Sequence, residues 1–174
     1  MSKETKIQWT DFTINFWRGC QKVDADCRFC YFYRDMERYG KDGKDFVLIS
    51  ESTIKSKIRA AKQLANSRMA SLDTTPVRIF LSSWTDVFLE QADPHRHLIW
   101  DVIRQNPDIT FQILTKRPER IADHLPADWG TGWENVWLGT SVGSPKGMGR
   151  AISLSDPKIK AKLKFLSIEP LPIS

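Results

Sequence analysis

The sequence predicts an α/β fold, a partial parallel (β/α) barrel of about five to six units in a single domain over residues 1–174. Short apolar runs of strand length alternate with amphipathic runs of helix length along most of the chain. Proline, serine and aspartate mark the boundaries between them. Each predicted strand also ends in polar residues, which a parallel arrangement gathers on one rim.

The elements follow in order. "TINFWRG" supplies the first strand, directly before the cysteine segment "GCQKVDADCRFCYFY". "SESTIKSKIRAAKQLANSRMA" places Ile54, Ile58, Ala61, Leu64 and Ala65 at helical spacing behind serines that can cap it. In "PVRIFLSSWTD", Val77, Ile79 and Leu81 alternate with Arg78, Phe80 and Ser82, which predicts a strand over 77–83. "DPHRHLIWDVIRQNP" reads as a helix with Asp93 at the cap, Pro94 in the first turn, and Leu98, Ile99, Val102 and Ile103 on one face; it stops before Pro107. Further strands are predicted near 109–114, 135–141 and 163–168, with a short helix in "PERIADHL" and a glycine-dense loop over 143–150. Helical crossovers between strands imply a parallel sheet with right-handed connections. The last strand runs into "EPLPIS" with no helix behind it, so a protein partner covering this C-terminal strand, or a truncation of the chain, is expected.

Composition bounds the function. The chain is 41% hydrophobic, enough for a core, and its net charge of +5 suits a nucleic-acid or phosphate-bearing partner, although many proteins with neither share such a balance. No apolar run reaches the roughly 18 residues of a membrane span, and the first residues lack an apolar signal core, so a cytoplasmic protein with no membrane role is expected. All three cysteines fall in the loop 19–31, as C-x6-C-x2-C. In a reducing compartment such a cluster reads as metal ligands or catalytic thiols before it reads as disulfides.

Several readings of Cys20, Cys27 and Cys30 stay open on spacing alone. Three thiolates can hold a four-iron cluster with one iron left for a ligand. A tetrahedral zinc would draw its fourth ligand from His95, His97 or His124, all distant in sequence. Buried, inert cysteines are the third reading, and thiol redox chemistry through Cys27-Arg-Phe-Cys30 leaves Cys20 without a role. The predicted rim adds Ser82, Ser83, Thr85 and Asp86, then Thr115, Lys116 and Arg117, then Thr140 and Ser141, and finally Ser167 and Glu169. Polar residues also cap and turn chains, so it is their coincidence with the cysteines that singles them out.

The strings "KIQWTDFTINFWRGCQKVDADCRFCY", "FLSSWTDVF", "FQILTKRPER", "NVWLGTSV" and "FLSIEPL", in that order, resemble a phage- and prophage-associated family of three-cysteine proteins of unknown function. That family is regarded as related to the radical S-adenosylmethionine enzymes, with spore photoproduct lyase among the closer characterised kin. The resemblance implies a radical-SAM-like partial barrel and a [4Fe–4S] cluster on Cys20, Cys27 and Cys30. It further implies S-adenosylmethionine on the open iron, cleaved to a 5′-deoxyadenosyl radical that abstracts hydrogen from a substrate. Phe29 would then pack on the adenine, Ser82, Ser83 and Asp86 would meet the cofactor's amino end, and Thr140 and Ser141 its ribose. Lys116, Arg117 and Glu169 fall at the substrate, where the two cations can hold a carboxylate or phosphate.

Two departures accompany the resemblance. The superfamily spacing is C-x3-C-x2-C, and this chain adds three residues, Asp24-Ala25-Asp26 or their neighbours. Members also continue past "SIEPL" with a glycine- and tryptophan-rich segment, so the chain is expected to be C-terminally truncated relative to them. The phage setting, the basic balance, and Trp9, Trp17, Trp84, Trp129 and Trp133 on predicted loops or strand edges point to nucleic acid or a nucleotide as substrate. The alternative is a catalytically inactive or zinc-binding phage accessory module on the same fold.

Overall fold

Parity along each short apolar run decides which face of the sheet it buries. In the computed structural model, which describes residues 5–168, β1 (Phe12–Ile14), β4 (Arg78–Leu81), β5 (Thr110–Thr115), β6 (Val136–Ser141) and β7 (Leu163–Ser167) form one five-stranded parallel sheet in that order. Glu169, expected at the substrate, lies outside the described residues. A separate antiparallel pair, β2 (Trp17–Arg18) and β3 (Val47–Leu48), brackets the cysteine loop and α1 (Tyr31–Arg38). α2 (Glu51–Ala70) precedes β4, α3 (His97–Arg104) precedes β5, and α4 (Met148–Leu154) precedes β7. Among the described residues no helix is long and apolar enough to cross a membrane.

Apart from the antiparallel pair β2 and β3, strand order equals chain order, so right-handed crossovers wind in one direction and place the helices on one face. Ile79, Phe111 and Val136 lie in register on that face, as do Leu81, Ile113 and Leu138. They form the core with Ile54 and Ala61 of α2, Ile99 and Ile103 of α3, and Leu154 of α4. The opposite face carries Phe80, Gln112 and Trp137 in register, and Trp9 lies over it, its ring 4.8 Å from Phe80 and 6.3 Å from Phe165. The sheet is open: the expected α/β class and parallel pairing are present, but the strands do not close into a barrel.

Local differences from the expected elements have identifiable causes. Asp93 and Pro94 do not open a helix; they lie within a 3-10 stretch, Glu90–His95, because the Asp93 carboxylate accepts from Arg96 and Arg120 instead of from a helix end. α3 starts at His97. The segment 118–125 forms two 3-10 turns, Pro118–Arg120 and Ala122–His124. The glycine-dense loop over 143–150 contains the 3-10 turn Pro145–Gly147 and the start of α4, whose Leu154 is buried in the core: tertiary packing overrides poor helix propensity there. α1 follows the third cysteine directly and buries Phe32 and Met36, four residues apart on one face.

Close packing on the face that carries Trp9 makes one glycine diagnostic. A Cβ on Gly139 would come within 2.5 Å of the Phe165 ring, its partner across β6 and β7. Gly139→Ala should therefore destabilise the fold by about 1–3 kcal/mol, measured by denaturant unfolding. In a Phe165→Ala background most of that cost should vanish; an equal cost in both backgrounds would contradict this packing.

Candidate functional site

The cysteine loop lies across the carboxyl ends of the parallel strands, tied to three of them by specific bonds. At its start Gly19 has φ +110, and a Cβ there would meet the Asp45 carbonyl oxygen at 2.5 Å, so the tight entry from β2 requires glycine. Thr85 Oγ1, beyond β4, donates to Gly19 O at 2.5 Å. Arg117 Nη2, beyond β5, donates to Gln21 O at 2.7 Å. Beyond β6, Gly143 N–H donates to Asp26 Oδ2 at 3.0 Å, and Arg150 pairs with both Asp24 and Asp26. Tyr33 OH donates to Cys20 O at 2.5 Å, and Tyr31 OH donates to Ser83 O. Asp24 caps the 3-10 turn Ala25–Cys27, and Cys30 stands at the N-terminal cap of α1.

Asp86 organises the rim beneath the loop. Its carboxylate accepts from Thr115 Oγ1 at 2.7 Å, Phe88 N–H at 2.9 Å, Lys116 N–H at 3.0 Å and Arg117 Nη1 at 3.1 Å. Both partners of the Asp86–Arg117 pair are buried, with side chains 6% and 10% exposed. Removing one member of such a pair strands the other charge and costs about 3–5 kcal/mol. Asp86 and Arg117, expected at the cofactor and the substrate respectively, are thus occupied in holding β4, β5 and the cysteine loop together.

The remaining expected residues divide between the rim and its support. Ser82 is buried at the end of β4 with φ +65, and its Oγ has no hydrogen-bond partner among the described residues. A left-handed non-glycine residue with an orphaned hydroxyl is a strained position with unused bonding capacity. Ser83 Oγ accepts from Asn15 Nδ2 at 3.2 Å. Thr140 Oγ1 donates across to Thr115 O at the end of β5 at 2.7 Å, and the Ser141 backbone O accepts from Arg150 Nε at 2.8 Å. Lys116 gives its backbone N–H to Asp86. Phe29 is 77% exposed beside the third cysteine, with the Arg28 guanidinium 5.4 Å from its ring centre.

All three thiols are free, Cys27 buried and Cys20 and Cys30 half-buried. Burial first, then the Asp86 carboxylate and the other two thiols, push Cys20 up to about 12, against a smaller lowering by Arg117. Burial and the same three thiols likewise push Tyr33 up to about 12. Cys27 and Cys30 are therefore near enough to Cys20 to raise its thiol electrostatically. Among the described residues, however, no three His, Cys, Asp or Glu side chains converge as a metal-ligating group. His124 is bound to Arg120 O at 2.7 Å, and His95 stacks on Phe46 at 5.7 Å.

Several residues that matter to the rim carried no local signal. Asn15 joins the β1 and β4 ends, its Oδ1 accepting Trp84 N–H at 2.8 Å. Arg150 is the main partner of the acidic residues between the first two cysteines, and only the complementary charge across more than a hundred residues hinted at it. The tryptophans expected to stack bases are mostly structural: Trp17 and Trp129 are buried, and Trp129 and Trp133 cluster with Trp100. The exposed aromatics are instead Phe29, Tyr31 and Tyr39, on or beside the cysteine loop and α1.

A family model described as "Protein of unknown function (DUF5131)" matches residues 4–173. No curated protein and no solved structure matches the chain.

The high Cys20 value has a direct consequence, because only the thiolate reacts with alkylating agents. Near the ordinary thiol pKa of about 8.5, Cys20 of the reduced, metal-free chain should alkylate more than tenfold more slowly than in urea, as peptide mass spectrometry would read. Equal rates folded and unfolded would contradict the burial and Asp86 field assigned to it.

Proposed function

We propose that this chain, which belongs to the DUF5131 family of proteins of unknown function, is a radical S-adenosylmethionine-like enzyme. Cys20, Cys27 and Cys30 would hold a [4Fe–4S] cluster, and the substrate would be nucleic acid or a nucleotide. The observation that carries the reading is that three free thiols share one loop seated on the carboxyl ends of a parallel sheet. Ligands of α/β sheets gather at that edge, and thiolates suit iron–sulfur clusters. The one-way winding of the strands supports a partial barrel of the radical-SAM kind.

Three thiols are the donor type such a cluster takes, and a second feature supports the cofactor: the buried Ser82 Oγ at the end of β4 has no hydrogen-bond partner among the described residues. When bound, the cluster and S-adenosylmethionine would supply one-electron reductive cleavage, the chemistry that belongs to the cofactor. The chain's own residues bind and orient. Ser82 and Ser83 offer hydroxyls to the amino end of the cofactor. Asp86 and Arg117 hold Gln21, and with it the Cys20 segment, while Thr140 and Ser141 support the β6 end. Phe29 presents an open aromatic face for adenine. Lys116 and the net charge of +5 favour a phosphate-bearing substrate.

The lack of a converged ligand group among the described residues favours a second reading, a catalytically inactive binding module on the same fold. Exposed Leu163, Leu166 and Ile168 on and after β7 would then receive a protein partner.

Anaerobic reconstitution with iron and sulfide separates the two. The enzyme reading predicts about four irons per chain and reductant-dependent release of 5′-deoxyadenosine from S-adenosylmethionine. Alanine at Cys20, Cys27 or Cys30 should abolish iron uptake, and alanine at His95, His97 or His124 should leave it intact. One zinc or no metal, with no cofactor cleavage, would sink the enzyme reading, and loss of metal in a histidine variant would favour zinc.

A further inference from the structure

We propose that Arg150 is a positioning residue that latches the Asp24-Ala25-Asp26 turn to the end of β6 and so seats Cys27. Arg150 is buried in the first turn of α4, and each of its three guanidinium nitrogens donates a hydrogen bond. Nε donates to Ser141 O at 2.8 Å, Nη1 to Asp24 and Nη2 to Asp26. The Asp26 side chain is only 3% exposed and also accepts the Gly143 N–H at 3.0 Å. Asp24 Oδ1 accepts Asp26 N–H at 2.9 Å, and Cys27 N–H donates to Asp24 O at 3.1 Å, so the turn leads directly into the second thiol.

Two features make this a latch and not an ordinary surface ion pair. Asp24 and Asp26 converge on one cation, and without it their like charges would repel and open the turn. Gly147 permits the approach, because a Cβ there would fall within 2.6 Å of both Arg150 Nη2 and Asp26 Oδ2. The cysteine loop therefore has two independent cationic tethers. Arg117 from the β5 end holds Gln21, next to Cys20, and Arg150 from the β6 side holds the turn that carries Cys27. Cys27 is 6% exposed in this arrangement, and its Sγ accepts the Val23 N–H at 3.5 Å.

The latch stands on contacts within the chain, whereas its value for cluster assembly rests on the proposed function. The test uses the full-length, reduced, metal-free protein as wild type, Arg150→Met, Arg150→Lys and Gly147→Ala. Hydrogen exchange and iodoacetamide labelling are read peptide by peptide. In Arg150→Met and Gly147→Ala, Cys27 labelling and exchange over 23–28 should rise at least tenfold while Cys20 labelling changes less than twofold; Arg150→Lys, which can still meet one carboxylate, should be intermediate. If Arg150→Met does not unfold cooperatively, Gly147→Ala and Arg150→Lys decide. Cys27 no more reactive in folded variants than in wild type would overturn the latch, as would parallel exposure of Cys20 and Cys27. Iron and sulfide loading of the same set keeps the two ideas apart. Slower loading only in the latch variants supports positioning, and loading of wild type and variants at one rate overturns it. A wild type that takes no iron, with Cys27 still released selectively in the variants, removes the cluster and leaves the latch.

Discussion

Buried where β4 and β5 end, the Asp86 carboxylate accepts from Thr115, Phe88, Lys116 and Arg117, and through Arg117 it reaches Gln21 beside the first thiol. A buried carboxylate survives only when its lone pairs are filled. That requirement fixes the orientation of the strand ends relative to one another and brings the cysteine loop down onto them. Arg150 ties the loop one strand further along in a different way: there the carboxylates sit on the loop and the cation on the β6 side, whereas Asp86 and Arg117 both belong to the rim. The loop is thus held over the rim by two buried ionic networks, and the hydrophobic core below holds the rim.

The sheet explains why the loop lies where it does. Because the strands follow chain order, every crossover returns on the same side, and the helices cover one face with Ile54, Ile99, Ile103 and Leu154. The other face carries Trp9 packed against Phe80 and Phe165. The loop lies over the carboxyl ends of the strands, bonded to residues that follow β4, β5 and β6. Ser82, at the end of β4, has a strained backbone and a buried hydroxyl with no partner among the described residues.

Much of this was legible in the sequence because it is periodic. Ile54, Ile58, Ala61 and Leu64 mark α2, and the alternation through Val77, Ile79 and Leu81 marks β4, since burial of one face imposes those periods directly. Pro145, Gly147 and Gly149 concealed α4, whose helix depends on Leu154 reaching the core and Arg150 reaching the loop. Asp93-Pro94 imitated a helix start because cap chemistry is local, while Arg120, which claims Asp93 together with the neighbouring Arg96, reaches it only in the fold. The cysteines and the polar strand ends were visible as types. Which of them face outward and which are consumed internally was not, because Asp86 and Arg117 find each other only after β4 and β5 pair.

The rim brings together three free thiols on an anchored loop, an exposed aromatic and a buried hydroxyl without a partner among the described residues, and the proposed function assigns these to a cluster and its ligand. The most direct measurement is Mössbauer spectroscopy of the anaerobically reconstituted, iron-57-loaded chain with and without S-adenosylmethionine. With three protein thiolates, one of about four irons should be distinct and should shift when the cofactor is added. No iron uptake, or a full cluster whose irons are indifferent to S-adenosylmethionine, would contradict the account.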